Sequence, residues 1–250
     1  MQIKQGMIFQ LREHTLGCGS STDTEFVKKV IGNNTVCSIQ SDPPYGVAIA
    51  KSSLNPTIHK PLANDHLQSD AEYIEFTSSW LEAVKPFLAR KNSAHIFNSD
   101  KMIFALREGM IRSGFKFSQL LVWVKNQSTM ARLDYLPAHE LIAFGWFGTH
   151  KFYKAQDKSV LYAPKPQMSK YHATMKPISL IRRLILNSTK VEDTVYDPFL
   201  GSGTTLLASH QTLRKCIGIE LEPEYCQVTI DRWEKLSGLK ATVRKESYAK

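Results

Sequence analysis

Cysteine is scarce in this chain: four in 250 residues. Cys18, Cys37, Cys216 and Cys226 form no Cys-x-x-Cys pair, and no Cys/His grouping has zinc-ligand spacing. That excludes a disulfide framework and a structural zinc site, and it fits reduced thiols in a cytoplasmic protein. Apolar runs of membrane-spanning length are missing, so no transmembrane helix and no membrane partner are expected. Met1-Gln2-Ile3-Lys4-Gln5 lacks the apolar core of an export signal. Internal repeats and low-complexity tracts are absent too. Acidic residues are in deficit, 23 against 32 Lys and Arg, for a formal net charge of +9. This suits a polyanionic partner such as nucleic acid, although an ordinary basic enzyme has the same balance.

What is present is a core-forming composition, 42% hydrophobic, with short apolar runs alternating with helical periods. Strands are expected at residues 7–11, 36–40, 95–98, 117–124, 140–147, 195–196 and 216–219. Asp23-Thr24 caps a helix over Glu25 to Ile31 that Gly32-Asn33 ends, and further helices follow from about Asp70, Asp100, Ile178, Gly203 and Pro223. Pro86 kinks or ends the second of these. Alternation of this kind predicts one α/β domain over 1–250, a mainly parallel sheet with helices on both faces. Residues 46–70 read as a long, polar, flexible loop, and the tail from Gly238 as basic and frayed. No site is assigned at Gly17-Cys18.

Two loops carry chemistry. The strand ending at Ser41 runs into Asp42-Pro43-Pro44-Tyr45-Gly46, which offers a carboxylate, a carbonyl whose direction the flanking prolines fix, and an aromatic face. The strand Val195-Tyr196 runs into Asp197-Pro198-Phe199-Leu200-Gly201-Ser202-Gly203-Thr204-Thr205. There Gly201 and Gly203 permit positive φ and close approach, and the helix that follows presents N–H groups to an anion. Glu220 closes the next strand, where an acid can accept both hydroxyls of a ribose. Alternatively it is an exposed strand-end acid, with Glu222 competing for the role.

These segments, with Tyr171-His172-Ala173-Thr174-Met175-Lys176-Pro177 just upstream of the glycine loop, resemble the S-adenosylmethionine-dependent amino-group DNA methyltransferases, which act on adenine N6 or cytosine N4. The order, catalytic loop before glycine loop, resembles the permuted beta class. Ala173 stands where that family usually has Pro. The resemblance implies a Rossmann-like fold with a seven-stranded sheet and circularly permuted motif order. It implies S-adenosylmethionine as cofactor, held by Asp197, Phe199, Gly201, Gly203, Thr204, Thr205 and Glu220, with Lys176 pairing with the cofactor carboxylate. It implies catalysis by Asp42, Pro43, Pro44 and Tyr45 on a base flipped out of double-stranded DNA, with no metal because a sulfonium is already an activated leaving group. His139-Glu140 resembles a position that is mainly structural.

Residues 125–170 lie where the family places target recognition. There Lys125, Arg132, Lys151 and Lys154 are the expected phosphate contacts, with Lys158, Lys165 and Lys170 nearby and Trp146, Phe147, Phe152 and Tyr153 interleaved. A charged surface over an extended β-hairpin explains the same pattern. No separate large recognition domain fits, which points to a short target sequence, relaxed specificity or a homodimer. Family members acting on cytosine more often carry Ser where this chain has Asp42, which favours adenine. Cytosine-N4 methylation, RNA methylation and an inactive DNA-binding relative stay open, as do roles beside a restriction nuclease, as an orphan modification enzyme or in phage defence.

Overall fold

A computed structural model describes residues 2–45, 69–128, 134–154, 156–164 and 175–244. The polar stretch at 46–68, and with it Arg132, Lys165, Lys170 and Tyr171 to Thr174, lies outside the described residues.

The chain opens with a hairpin, β1 (Ile8–Leu11) and β2 (His14–Cys18), turning at Arg12 with φ +57°. Helix α1 (Thr24–Ile31) starts where the Asp23 carboxylate accepts the N–H groups of Glu25 and Phe26, and it ends at Gly32 with φ +59°. Strand β3 (Val36–Ser41) follows. Helix α2 (Asp70–Val84) begins with a capping box between Ser69 and Glu72, and Pro86 converts its end into a 3₁₀ turn. Then come β4 (Leu88–Asn98), α3 (Ile103–Arg112), β5 (Phe115–Val124), β6 (His139–Phe147) and β7 (Val160–Tyr162). The last part is α4 (Ile178–Ser188), β8 (Thr194–Asp197), α5 (Thr204–Gln211), β9 (Lys215–Glu220), α6 (Pro223–Ser237) and β10 (Thr242–Val243).

The described strands form one sheet in the order β10-β1-β2-β9-β8-β3-β4-β6-β5-β7. It is parallel from β2 through β9, β8 and β3 to β4, and antiparallel where β6 lies between β4 and β5. Helices α1, α2 and α3 pack on one face and α4, α5 and α6 on the other. The α/β, Rossmann-like expectation holds, but the sheet has ten strands, not seven. The three extra ones are β2, β7 and β10. Every residue of β2 is buried, so no alternation marks it, and the other two are very short. The tail after Gly238 is therefore not simply frayed, because Thr242 and Val243 pair with Gln10 and Phe9. Nor is 125–170 wholly an insertion. His139 to Phe147 is an inner strand of the sheet, and no helix among the described residues is long and apolar enough to cross a membrane.

Connectivity sets the location of the site. From β3 the chain moves outward to β4; from β8, the parallel neighbour of β3, it moves outward to β9 on the other side. The loops leaving β3 and β8 thus diverge, and a crevice opens between them at the carboxyl ends of the strands.

Candidate active site

Both sequence motifs end in that crevice. They wall a cavity of about 760 Å³ that takes in Asp42 to Tyr45 from β3, Asp197 to Ser202, Thr204 and Thr205 from the glycine loop, and Glu220 from β9. Gly203 stands behind the wall. It holds φ +85° as the residue before α5, and a Cβ there would come within 2.8 Å of the Thr229 side chain. Its requirement for glycine is therefore conformational and internal rather than a matter of ligand approach.

Glu220 organises the glycine loop. One carboxylate oxygen accepts the N–H of Gly201 at 2.7 Å and the other that of Glu222 at 2.8 Å, while Thr229 donates to the Gly201 carbonyl at 2.9 Å. Burial raises the Glu220 carboxyl, and those N–H donors partly offset the rise. Asp197 is also buried. Desolvation, opposed by hydrogen bonds from Thr205 and from the Phe199 N–H, pushes its carboxyl up to about 7. The Phe199 ring packs between Phe76 and Trp80, with centroids 5.6 and 5.7 Å away.

On the opposite wall the Tyr45 hydroxyl donates to Asp42 Oδ1 at 2.8 Å and lies 3.2 Å from Glu140 Oε2. Lys176, at the amino end of α4, donates to Asp42 Oδ2 at 2.5 Å and sits 3.1 Å from Glu140 Oε2. Its ammonium also faces the rings of Phe97 and Tyr45 at 5.2 and 5.6 Å. Lys125 holds the other Glu140 oxygen at 2.8 Å. Burial acts to raise the Glu140 carboxyl, but the two ammonium groups outweigh it and bring it down to about 2. Burial likewise opposes the charge on Lys176, yet Asp42 and Glu140 leave its pKa above the usual lysine value. Burial, reinforced by the charges of Asp42 and Glu140, lifts the Tyr45 phenol well above its ordinary range, so it stays a donor.

This geometry bears on several expectations. Lys176 turns to Asp42 and Glu140, not to the glycine loop where an anionic cofactor group was expected. Lys125 is a buried ion-pair partner, so it is not free to meet phosphate. Glu140, expected to be structural, is the hub between the two lysines and Tyr45. In the β5–β6 hairpin Lys125 stands opposite Ala138, so Glu140 is its diagonal neighbour on the same face of the sheet. Gly19 to Thr22, just beyond the segment given no site, line the cavity as well.

Lys151 and Lys154 lie elsewhere. The Tyr153 N–H donates to the Asn187 carbonyl in the last turn of α4, and Thr149 bridges to Lys91 near the start of β4. Lys176, at the cavity, lies just before the start of α4, and Asn187 is nine residues of helix rise beyond Ile178, about 14 Å. These two lysines therefore occupy the sheet edge away from the crevice.

The donor set fits a nucleoside with a charged amino-acid tail. Glu220 suits a ribose diol, and the N-terminus of α5 with Thr204 and Thr205 suits a carboxylate. Asp197 suits an ammonium, and Phe199 offers an aromatic face. The buried Gln40 Oε1, Ser41 Oγ and Ser99 Oγ have no hydrogen-bond partner among the described residues, and all three residues line the cavity.

A family model described as DNA methylase matches residues 36–231. The chain is 25% identical over 229 residues to the Type II methyltransferase M2.MboI of Moraxella bovis, covering 82% of this chain and 83% of that protein. It is 28% identical over 219 residues to the Type II methyltransferase M2.DpnII of Streptococcus pneumoniae, covering 78% and 81%. Among solved structures, the M1.HpyAVI–SAM complex superposes with a TM-score of 0.65 at 25% identity, over 87% of this chain and 98% of that one. The cytosine-N4-specific PvuII DNA methyltransferase superposes with a TM-score of 0.70 at 18% identity, over 90% of each, a likeness of fold. With the Asp42–Tyr45 loop, the glycine loop and Glu220 all inside the matched span, the chain belongs to the N6/N4 DNA methylase family.

Proposed function

We propose that this enzyme transfers a methyl group from S-adenosylmethionine to the N6 amine of an adenine drawn out of double-stranded DNA. The observation that carries the reading is the meeting of the Asp42-Pro43-Pro44-Tyr45 loop and the Asp197–Thr205 loop across one cavity. S-adenosylmethionine, when bound, supplies a methyl group on a sulfonium, already activated for transfer. Asp197, Phe199, Thr204, Thr205 and Glu220, with the backbone of Gly201, would hold it.

The work of the remaining residues follows from the acceptor. Adenine's amine is a weak nucleophile because its lone pair is shared with the ring. Asp42 accepts one of its N–H bonds and the Pro43 carbonyl the other, which draws the nitrogen towards tetrahedral geometry and fixes its direction. Lys176 and the Tyr45 hydroxyl each hold one oxygen of Asp42, so the carboxylate is aimed before the base arrives. Tyr45 offers its ring to the extruded base. The proton released from the amine passes to Asp42 and from there to solvent. Asp42, in place of the Ser that cytosine enzymes more often carry, supports adenine.

A labelled methyl-donor assay on DNA, followed by digestion to nucleosides, tests this. Label in N6-methyladenine is the expected result. Label in N4-methylcytosine would move the reading to the other base, label on RNA alone would change the substrate, and no label on any nucleic acid would leave a binding protein.

A further inference from the structure

The loop joining β5 to β6 leaves an aromatic ring in water at the lip of the cavity. Tyr135 is 92% exposed and Leu136 beside it 43%, and both belong to the cavity rim together with Asp134 and Pro137. The stem of this loop is fixed. Lys125 donates its N–H to the Ala138 carbonyl at 2.8 Å, Val124 pairs with His139, and the Lys125–Glu140 ion pair ties the two strands together. A stem tied to the sheet therefore carries Tyr135 and Leu136 to the rim of the cavity into which the two motif loops face.

Tyr45 cannot do what Tyr135 is placed to do. It is half-buried, and its hydroxyl is committed to Asp42 and Glu140 inside the cavity. A base drawn out of a duplex leaves a gap between its former neighbours, and apolar or aromatic side chains enter such steps. We infer that Tyr135, backed by Leu136, enters the DNA stack at the step the target base vacates and holds the extruded state open. This rests on the base extrusion proposed above. The ligand is a base step, not a phosphate, because Tyr135 and Leu136 present a neutral ring and an aliphatic chain, and Asp134 beside them would repel a phosphate.

The test begins by mapping the site that the wild-type enzyme methylates on plasmid DNA. Two duplexes follow, one with the target normally paired and one with it opposite an abasic site. A second pair carries 2-aminopurine at the target position. Tyr135→Ala should lower affinity for the paired duplex roughly tenfold or more and reduce the 2-aminopurine signal. On the duplex already opened, the loss should be under about threefold, since the unpairing cost is then absent. Tyr135→Trp should keep most of the wild-type affinity, and the salt slope should not change in either variant because no charge is lost. The melting temperature should also be unchanged at so exposed a position. An equal loss on both duplexes, or none on either, would overturn the role of Tyr135 while leaving extrusion intact. A wild-type enzyme that gives no 2-aminopurine signal at its own mapped site would overturn extrusion, and this inference with it.

Discussion

The ammonium of Lys176 lies 2.5 Å from Asp42 Oδ2 and 3.1 Å from Glu140 Oε2, so one cation joins the Asp42 carboxylate to a second, buried one. The pairing makes Lys176 a positioning residue for Asp42. Lys176→Met should cut turnover on the order of a hundredfold, the usual cost of a misaimed reacting group. Affinity for S-adenosylmethionine, measured by calorimetry on the folded variant, should change little. Were Lys176 the partner of the cofactor carboxylate, as its place in the sequence suggested, the effect would fall on cofactor binding instead.

Glu140 carries a pH signature. Its carboxyl stands at about 2 in the folded protein, below the ordinary value of 4.5, because Lys176 and Lys125 outweigh its burial. A depressed carboxyl contributes stability that is fully present above about pH 4.5 and is lost as the pH falls towards 2. Glu140→Gln leaves two buried lysines short of a partner and should cost about 3 kcal/mol near neutrality. Urea unfolding from pH 6 to pH 2.5 would show wild-type stability falling towards that of the variant. Parallel curves would mean that Glu140 does not titrate in this window.

These two predictions mark where sequence reading stopped. Asp42, Tyr45 and Glu220 were legible because each sits where a strand gives way to a loop, and Gly203 because it sits where a loop gives way to a helix; the chemistry of such junctions is local. The partners of Asp42 were not. Lys176 reaches it only because α4 returns to the mouth of the β3–β8 crevice, and Glu140 only through the β5–β6 register. Strand β2 escaped notice for a related reason: it is buried on both sides between β1 and β9. Tertiary pairing, not propensity, made it a strand.

Cofactor binding should be linked to a proton at Asp197. Burial holds this carboxyl up at about 7, so near neutrality the free enzyme carries its proton about half the time. Accepting hydrogen bonds from a cationic amino group requires the ionised form. Affinity for S-adenosylmethionine should therefore rise between pH 6 and 7.5 and then level off, with proton release on binding near pH 7. Calorimetry in buffers of different ionisation enthalpy measures that release directly. Asp197→Asn should bind more weakly and lose the linkage, and a wild-type binding curve flat across this range would remove Asp197 from contact with the ammonium.

DNA affinity should depend on which edge of the sheet loses its charge. Lys101 is exposed and lines the cavity, on the turn between β4 and α3. Lys154 is exposed too, but beyond Tyr153, whose N–H is bound to the far end of α4, about 14 Å along the helix from the end that follows Lys176. A short duplex centred on the target site lies over the cavity, so it meets the first lysine and not the second. Lys101→Glu should weaken binding of such a duplex several-fold and flatten the salt dependence, since one phosphate contact contributes about 0.9 to the log–log slope. Lys154→Glu should leave both almost unchanged, for at physiological salt a charge that far away is screened over about 8 Å. Titrations of the two variants from 50 to 200 mM salt decide the matter. A larger effect at Lys154 than at Lys101 would place the duplex on the opposite edge of the sheet and would separate DNA binding from the pocket that Asp42 and Glu220 define.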